Sequence, residues 1–276
     1  MMAWVTLLTQ PNYLIGVRAL ARSLALSNSR YPLVVMVTAN IDADARALLE
    51  QDGCVVTEVA PLRPRPQLQE SYANARFAEV WTKLAAWTLT DYARVAFLDA
   101  DMLVTQNMDE LFDLPLNSGT IAACHACRCN PERIASYPAD WTPQNCFYSG
   151  YREESHAEPA DQADRYLNGG FLLLTPDRAV FDEMMAQLAA LDDLSGYLFA
   201  EQDFLNEFYR HRWQPLSWIY NALKTLPHQH PAVWDAERVK NIHFIIDKPW
   251  EKRPESADRY YALNRQWWAV AGDLIG

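Results

Sequence analysis

Two aspartates, Asp99 and Asp101, interrupt the most hydrophobic segment of the chain, VAFLDADMLV at residues 95–104. Burying two carboxylates is costly unless a cation neutralises them. An Asp-x-Asp pair at the end of a strand suits Mg²⁺ or Mn²⁺, with the phosphates of a nucleotide completing the coordination. The same pair could equally be two solvated acids, or one aspartate could cap a following helix.

Two further segments carry residue types that could complete such a site. NGG at residues 168–170 places two glycines before a predicted strand. Glycine permits unusual backbone angles or close approach to a ligand, although it also forms ordinary tight turns. His243 and Lys248 stand close together in IHFIIDKPW. A histidine at a strand end can bind a metal, and a nearby lysine can neutralise a diphosphate.

Four of the five cysteines, Cys124, Cys127, Cys129 and Cys146, form a second candidate site in CHACRC and shortly after it. Cys-x-x-Cys spacing with His125 nearby is compatible with a metal site, but the second half of a zinc site would have to come from Cys146. Reduced, partly buried thiols at a strand end explain the same pattern. A disulfide does not suit a reducing compartment.

The elements that would position these residues alternate in the first third of the chain. Apolar strands (AWVTLL, PLVVMVT and CVVTEV) are separated by amphipathic helical segments (YLIGVRALARSLAL and IDADARALLEQ). This order predicts an α/β fold with a mostly parallel sheet flanked by helices. Asp99 and Asp101 would then lie at the carboxyl end of a buried parallel strand, where open α/β sheets bind ligands.

The rest of the chain continues this pattern around one long irregular segment. RFAEVWTKLAAWTL predicts a helix with an apolar face, YLNGGFLLLTPD a turn followed by a strand, and AEQDFLNEFYR the start of a helix. Residues 124–165 are irregular and long for a loop, which indicates a lid or an acceptor loop. Residues 257–276 predict a C-terminal helix, and one domain over residues 1–276 is the simplest organisation.

Composition argues against several classes of function. The chain has 276 residues, half of them apolar, and a net charge of −11. An acidic surface repels phosphate backbones, so nucleic acid is not an expected partner. No apolar run is long enough to cross a bilayer, and the N-terminus lacks the basic region of a signal peptide. We therefore expect a cytoplasmic protein.

Taken in order, these segments resemble glycosyltransferase family 8, which contains glycogenin, galactinol synthase and bacterial lipopolysaccharide galactosyltransferases. The similarity covers residues 4–250 and rests on VTLLTQPNYLIGVRALARSL, WTKLAAWTLTDYARVAFLDADMLV, YLNGGFLLLTPD, EQDFLNEFY and IHFIIDKPW. The resemblance implies a GT-A fold, which is a Rossmann-like nucleotide-diphospho-sugar transferase domain. It also implies a retaining enzyme that uses Mn²⁺ or Mg²⁺ to move a hexose from UDP-glucose or UDP-galactose to a hydroxyl acceptor. A homodimer is left open.

The resemblance also implies roles for particular residues. The implied metal ligands are Asp99, Asp101 and His243. The implied donor site consists of Leu7, Thr9, Tyr13, Arg76, Lys83, Asp99, Ala100, Asn168, Gly169 and Lys248, with Tyr13 stacking on uracil. The implied catalytic group is Glu201, Gln202 and Asp203, which match the family's segment beneath the donor sugar, together with Lys248, which matches its diphosphate-binding lysine.

The sequence departs from the family pattern at two positions near this site. Ile245 or Ile246 stands where the family has a glycine, whose backbone would approach the phosphates. Glu201 replaces the commoner aspartate. Because Gln202 is an amide and therefore a poor nucleophile, we expect same-face attack through an oxocarbenium-like state rather than a covalent intermediate.

Two other functions are alternatives from the sequence alone. Haloacid-dehalogenase-like phosphatases also end an apolar strand in Asp-x-Asp, but Met102 and Leu103 follow here and no paired acidic motif appears downstream. A non-catalytic UDP-sugar-binding module would retain the fold without turnover. The acceptor has no motif of its own; Tyr220 and Asn221 in SWIYNALK are candidate contacts.

Overall fold

The computed structural model describes residues 1–68, 72–151 and 165–275, without the side chains of residues 75 and 76. The strands in this part of the chain are β1 (Met2–Leu8), β2 (Leu33–Val37), β3 (Val55–Glu58), β4 (Arg94–Leu98), β5 (Met102–Val104), β6 (Ile121–His125), β7 (Leu167–Leu174), β8 (Trp213–Leu216), β9 (Ala222–Leu223) and β10 (Asn241–His243). The α-helices are α1 (Leu14–Leu26), α2 (Ala43–Gln51), α3 (Phe147–Gly150), α4 (Arg178–Ala190), α5 (Glu201–Phe208), α6 (Leu226–Gln229) and α7 (Tyr261–Ala271). The alternation predicted for the first third of the chain is confirmed.

Seven of the described strands form one sheet in the order β3-β2-β1-β4-β7-β6-β8. Six of them run in the same direction, while β7 is antiparallel to both of its neighbours, β4 and β6. Every residue of β2 is buried, as expected for a parallel strand that is covered on both faces. The predicted α/β fold with a mostly parallel sheet is therefore confirmed.

A second, smaller sheet has the strand order β5-β10-β9. Strand β10 runs antiparallel to β5, and its register sets His243 opposite Met102. The next residue, Phe244, donates its backbone N–H to the carbonyl O of Asp101 (2.9 Å). This pairing brings a histidine from late in the chain beside the Asp99–Asp101 segment.

Apolar clusters hold helices on both faces of the large sheet. Alternate residues of β4 point to opposite faces, so Phe97 joins the cluster beneath α4 and α5, while Ala96 joins the cluster beneath α1 and α2. Trp81 and Trp87 fill the first cluster, and a third cluster around Trp267 lies beneath the small sheet and α7. The central strands, whose carboxyl ends form one edge of the sheet, are thus covered on both faces.

One predicted α-helix takes a different form. The segment RFAEVWTKLAAWTL forms two 3-10 helices, Ala75–Ala78 and Val80–Thr88. A 3-10 helix has three residues per turn, so Trp81, Leu84 and Trp87 share one face. All three are buried in the cluster on the sheet. Over this length an apolar spacing of three residues fits either type of helix, and we attribute the tighter one to the burial of both indoles on a single face.

Three other boundaries differ from the prediction. NGG lies inside β7 rather than in a turn, and the carbonyl O of Gly170 accepts from the N–H of Asp99, the residue that follows β4 (2.9 Å). The helix expected over residues 257–276 is α7, followed by the 3-10 turn Gly272–Leu274. Of the irregular segment 124–165, residues 152–164 lie outside the described part, and the remainder contains α3 and a 3-10 turn at Pro143–Asn145. None of the described helices combines the length and apolar character needed to span a membrane.

Candidate active site

A cleft of about 650 Å³ opens at the carboxyl ends of β1 and β4, the edge at which open parallel sheets bind ligands. Most of the predicted site residues line it. They are Leu7, Thr9, Tyr13, Lys83, Asp99, Ala100, Asp101, Asn168, Gly169, Glu201, Gln202, His243 and Lys248. The exceptions are Asp203, which does not line the cleft, and Arg76, whose side chain falls outside the described part of the chain.

Asp99, Asp101 and His243 converge on one point of this cleft. Nε2 of His243 lies 3.3 Å from Oδ1 of Asp101 and 3.8 Å from Oδ2 of Asp99. One candidate ligand atom from each residue lies within 4.8 Å of the others. An octahedral cation with ligands at about 2.1 Å holds neighbouring ligand atoms about 3 Å apart. These separations fit such a cation with small adjustments, and two carboxylates favour Mg²⁺ or Mn²⁺.

The tautomer of His243 can be traced through two asparagines. The N–H of Gly170 donates to Oδ1 of Asn168 (2.9 Å), and the same oxygen accepts from Nδ2 of Asn221 (2.8 Å). Oδ1 of Asn221 therefore faces Nδ1 of His243 (2.8 Å), so Nδ1 carries a proton and donates it. Nε2 then turns its remaining position to the carboxylates of Asp99 and Asp101. Acceptor atoms this close require a cation or an additional proton between them, and this is the tautomer that binds a metal.

Lys248 stands beside this cluster. Its ammonium forms a buried ion pair with Asp101 and donates to the carbonyl O of Phe244 (3.1 Å). Burial opposes the ionisation of Asp101, but Lys248, together with His243 in the form that carries the additional proton on Nε2, outweighs it and holds the pKa of Asp101 well below its usual range. Asp101 is therefore ionised at neutral pH.

Lys83 is buried beneath the cleft between two acids. Its Nζ lies 3.0 Å from Oδ1 of Asp99 and 2.7 Å from Oε1 of Glu201, and it donates to the carbonyl O of Gly169 (2.8 Å). Burial disfavours the ammonium charge, but the two acids outweigh burial and raise the pKa of Lys83. Burial also raises the pKa of Glu201 to about 7, against the opposing effect of Lys83. Lys83 thus joins the Asp-x-Asp segment to the start of α5.

Gln202 and Asp203 occupy different positions on the first turn of α5. Oε1 of Gln202 accepts from the N–H of Gly169 (2.9 Å), and its Nε2 donates to the hydroxyl O of Tyr166 (3.1 Å). Asp203 accepts the Tyr166 hydroxyl proton on one oxygen and the N–H of Phe199 (2.7 Å) on the other. Because its carboxylate is held outside the cleft, this placement favours a positioning role over the predicted catalytic role of Asp203.

The segment predicted to hold uridine follows β1. Tyr13 packs edge-to-face on Trp250, with 5.5 Å between the ring centroids. The backbones approach closely here, since a Cβ on Gly16 would lie 2.5 Å from the carbonyl O of Ala100. A glycine is therefore required at this point of α1. Stacking of Tyr13 on uracil stays a prediction.

The loop after β10 contains a strained residue. Ile246 has a φ of 71°, in the left-handed region that glycine adopts freely and β-branched residues rarely enter. Ile245 does not have this conformation. Of the two isoleucines that stand where the family has a glycine, Ile246 is thus the one whose backbone has glycine-like geometry.

Comparison with known proteins agrees with these motifs. The model of the family described as Glycosyl transferase family 8 matches residues 4–253. The chain belongs to glycosyltransferase family 8. The resemblance drawn from the ordered motifs is thereby confirmed.

Several family 8 relatives are similar along most of their length. Galactinol synthase 7 of Arabidopsis thaliana is 32% identical over 283 residues, which cover 98% of this chain and 82% of that protein. Galactinol synthase 2 of Solanum lycopersicum is 30% identical over 278 residues, which cover 98% of this chain and 80% of that protein.

Two solved structures share the fold. The galactosyltransferase LgtC, in complex with donor and acceptor sugar analogs, has a TM-score of 0.62 at 19% identity and is matched over 99% of this chain and 96% of its own. The bifunctional glycosyltransferase WbbM has a TM-score of 0.65 at 20% identity, and the match covers 98% of this chain but about half, 52%, of WbbM. The GT-A fold expected from the resemblance is confirmed.

The two acceptor candidates of this family 8 chain take unexpected positions. Tyr220 donates to Oε1 of Glu110 (3.0 Å) and does not line the cleft. Asn221 orients His243 instead of facing an acceptor. Sequence spacing could not reveal that role, because it depends on the pairing of β9 with β10.

Aromatic side chains on one wall of the cleft were not singled out by any motif. Trp141 stacks on Phe199 with 4.5 Å between ring centroids and an interplanar angle of 14°. Tyr137 packs edge-to-face on Phe199 at 4.9 Å. All three line the cleft. The tryptophans and tyrosines of the chain, Trp141 among them, were candidates from the sequence for stacking on a sugar, but no spacing indicated that these three rings would form one wall.

Proposed function

We propose that the chain is a retaining hexosyltransferase that moves galactose from UDP-galactose to a hydroxyl acceptor, with a divalent cation bound by Asp99, Asp101 and His243. The observation that carries this proposal is the convergence of two carboxylates and the Nε2 atom of His243 in the cleft at the carboxyl edge of the sheet. Galactose is preferred over glucose because the relatives at 30% identity or more are named as galactinol synthases.

The donor atoms of Asp99, Asp101 and His243 suit Mn²⁺ or Mg²⁺. When bound, the cation would stabilise the negative charge that develops on the diphosphate as UDP departs. Lys248 lies beside the Asp101 carboxylate and lines the cleft, so its ammonium can donate to a phosphate oxygen of the same diphosphate.

Lys83 acts on the donor through its neighbours. Its ammonium has three N–H donors, and three acceptors already surround it, from Asp99, Glu201 and Gly169. We therefore assign Lys83 to holding the metal-binding segment and the first turn of α5 in register. This assignment replaces the direct contact with the donor sugar that the family resemblance implied.

The side chains beneath the donor sugar favour attack on the same face. Gln202 is a neutral amide engaged by the N–H of Gly169, and Glu201 is paired with Lys83. Neither is a suitable nucleophile for a covalent intermediate. The acceptor hydroxyl would form its bond to the anomeric carbon as the bond to the diphosphate breaks, and the departing phosphate oxygen would take its proton.

The aromatic wall formed by Tyr137, Trp141 and Phe199 is the proposed acceptor surface. Aromatic rings bind the apolar faces of sugars and cyclic polyols, which fits a hydroxyl-rich acceptor of either kind. This wall and the metal cluster line the same cleft, so donor and acceptor would share one site.

The proposal is tested with purified protein, a panel of UDP-sugars, and monosaccharides, disaccharides and cyclitols as acceptors. UDP release is measured with Mn²⁺ and with EDTA, alongside the intact mass of the protein, and Asp101→Ala is the control. We expect release from UDP-galactose that requires the cation and Asp101. Tight binding of UDP-galactose without turnover for any acceptor would favour the binding-module alternative. Failure to bind any uridine nucleotide would overturn both.

A further inference from the structure

Three cysteines and one histidine meet outside the cation cluster described above. Sγ of Cys127, Cys129 and Cys146 lie 3.5, 3.1 and 3.5 Å from Nε2 of His230. Sγ of Cys146 lies 3.8 Å from Sγ of Cys127. One ligand atom from each of the four residues lies within 4.8 Å of all the others.

These separations are those of a tetrahedral zinc site. Zinc bonds of about 2.3 Å to sulfur and about 2.0 Å to nitrogen place two sulfurs about 3.8 Å apart, and sulfur and nitrogen about 3.5 Å apart. A disulfide would need sulfurs about 2.05 Å apart, and all five cysteines are free. The four side chains are buried, with 5–8% of each residue exposed. Four protein ligands would fill the tetrahedral coordination, as in a structural rather than a catalytic zinc site.

The four ligands come from segments that the sequence does not place together. Cys127 and Cys129 follow the end of β6, Cys146 precedes α3, and His230 follows α6. Cys124 is not part of the cluster, since its thiol donates to the carbonyl O of Ser217 (3.2 Å). The Cys-x-x-Cys pair of the sequence is thus not the ligand pair, and the fourth ligand lies far along the chain.

We propose that Cys127, Cys129, Cys146 and His230 bind one structural Zn²⁺ ion. Binding releases the three thiol protons to solvent, and three thiolates with a neutral imidazole leave the site with one net negative charge. Thiolate and imidazole ligands in tetrahedral array favour zinc over the oxygen-preferring Mn²⁺ and Mg²⁺. The two metal clusters of this chain therefore select different ions.

The zinc would hold in place the segment that contributes Tyr137 and Trp141 to the aromatic wall, the proposed acceptor surface. The ligand Cys127 lines the cleft itself, and Ala126, Asn130, Tyr137 and Trp141, which lie beside or between the first three zinc ligands in the sequence, line it as well. Binding to His230 would fasten this segment to α6, across a large separation in the chain. This functional consequence rests on the proposed transferase activity, whereas the zinc site itself does not.

The test measures zinc by elemental analysis in the full-length protein, purified without chelators or added metal. We expect about one zinc per chain in the wild type, and at least about tenfold less in Cys146→Ser and His230→Ala. Cys54→Ser is the matched control, because Cys54 is a buried cysteine with 8% exposure outside the cluster. Asp101→Ala separates this site from the other cluster, and both controls should retain the zinc.

A second measurement applies even where a variant fails to fold. Wild-type protein exchanged with Co²⁺ should show the intense visible absorption of tetrahedral thiolate coordination, and zinc should displace the cobalt. Zinc below about a tenth of an equivalent in folded wild type, with no thiolate–cobalt spectrum, would overturn the proposal. So would full zinc retention in folded Cys146→Ser, or a Cys127–Cys146 disulfide detected by mass spectrometry in the native protein.

Kinetic measurements on the same variants test whether the zinc positions the aromatic wall. In folded Cys146→Ser, we expect the acceptor KM to rise at least about fivefold, with the Kd for UDP unchanged within about twofold. Zinc in the wild type without transferase activity would leave the zinc site standing and count against the proposed function. An unchanged acceptor KM in a zinc-free, folded variant would show that the zinc does not position the aromatic wall.

Discussion

Among single residues, Asp101 contacts both His243 and Lys248 and is a proposed ligand of the cation. Asp101→Ala should lower kcat/KM by about 10²–10³-fold, because it removes a cation ligand at the point where charge develops. Gln202→Ala should lower kcat/KM by only about tenfold, since it removes two hydrogen bonds to neighbouring groups rather than a nucleophile. Steady-state UDP release measures both. Equal losses, together with a glycosyl-enzyme trapped in the wild type, would contradict same-face attack.

Ile246 offers a test of strain stored at one residue. In most settings alanine is more stable than glycine by about 0.5–1 kcal/mol. At a φ of 71° the order should reverse, with Ile246→Gly more stable than Ile246→Ala by about 1 kcal/mol, because a Cβ is unfavourable in the left-handed region. Both variants lose the isoleucine side chain beyond Cβ, so the difference between their free energies of unfolding reports the backbone preference at this position. Urea unfolding measures it, and a more stable alanine variant would refute the assignment of strain.

At the scale of elements, the close approach of β7 to β10 fixes the position of the histidine. A Cβ on Gly170 would overlap Cε1 and Nδ1 of His243. Gly170→Ala should therefore displace the ring and raise the Mn²⁺ concentration for half-maximal activity at least about tenfold. Gly196→Ala is the control, because nothing lies within 4 Å of its added Cβ. Similar Mn²⁺ dependence in the two variants would mean that the ring does not bind the cation.

The contact between the 3-10 helix Val80–Thr88 and α5 should make stability depend on pH. The pKa of Glu201 is raised to about 7 from an ordinary value of 4.5. The folded state therefore binds the Glu201 proton more tightly than the unfolded state does. The resulting contribution to the free energy of unfolding is fully present below pH 4.5 and is lost as pH rises through about 7. The difference in unfolding free energy between wild type and Glu201→Gln should fall by a few kcal/mol across that interval.

Urea unfolding in EDTA at several values of pH would measure this difference. EDTA removes divalent cations, whose charge at Asp99 would alter the ionisation of the neighbouring acid. Asp192→Asn is a suitable control, because its carboxylate is almost fully exposed. A difference between wild type and Glu201→Gln that does not change with pH would contradict the raised pKa.

For the molecule as a whole, the third apolar cluster supports the small sheet that completes the site. Trp267 of α7 is fully buried in that cluster, whereas its neighbour Trp268 is only half-buried. Trp267→Ala should lower the free energy of unfolding by about 3–5 kcal/mol, and Trp268→Ala by clearly less. Chemical denaturation measures both variants. Equal losses would show that α7 does not contribute through this buried contact.

The fold and the cation cluster were predictable because they follow from local patterns and an ordered set of motifs. Alternating strands and helices gave the mostly parallel sheet, and the resemblance brought Asp99, Asp101 and His243 together. The form of the segment around Trp81 was not predictable, since apolar spacing alone does not separate 3-10 from α-helix. Its side chains nevertheless reached the core, as the apolar pattern required.

Contacts between segments that are distant in the chain could not be predicted from the sequence. Asn221 orients His243, and His230 completes the cysteine cluster, through pairings between elements that carry no motif. Asp203 matched a motif by position, but the start of α5 turns its carboxylate to Tyr166. Ala200, directly before this helix, has a φ of 49°, and a backbone conformation of that kind is decided by tertiary packing.

The pairing of β5 with β10 also sets an order of events in time. The paired residues Met102 and His243 are separated by more than half the chain. A ribosome adds about 5–20 residues per second, so β5 emerges roughly ten seconds before its partner. During that interval the strand has an open edge, and the aspartates beside it lack their histidine. In a nascent chain the proposed cation site can therefore assemble only after β10 has been synthesised.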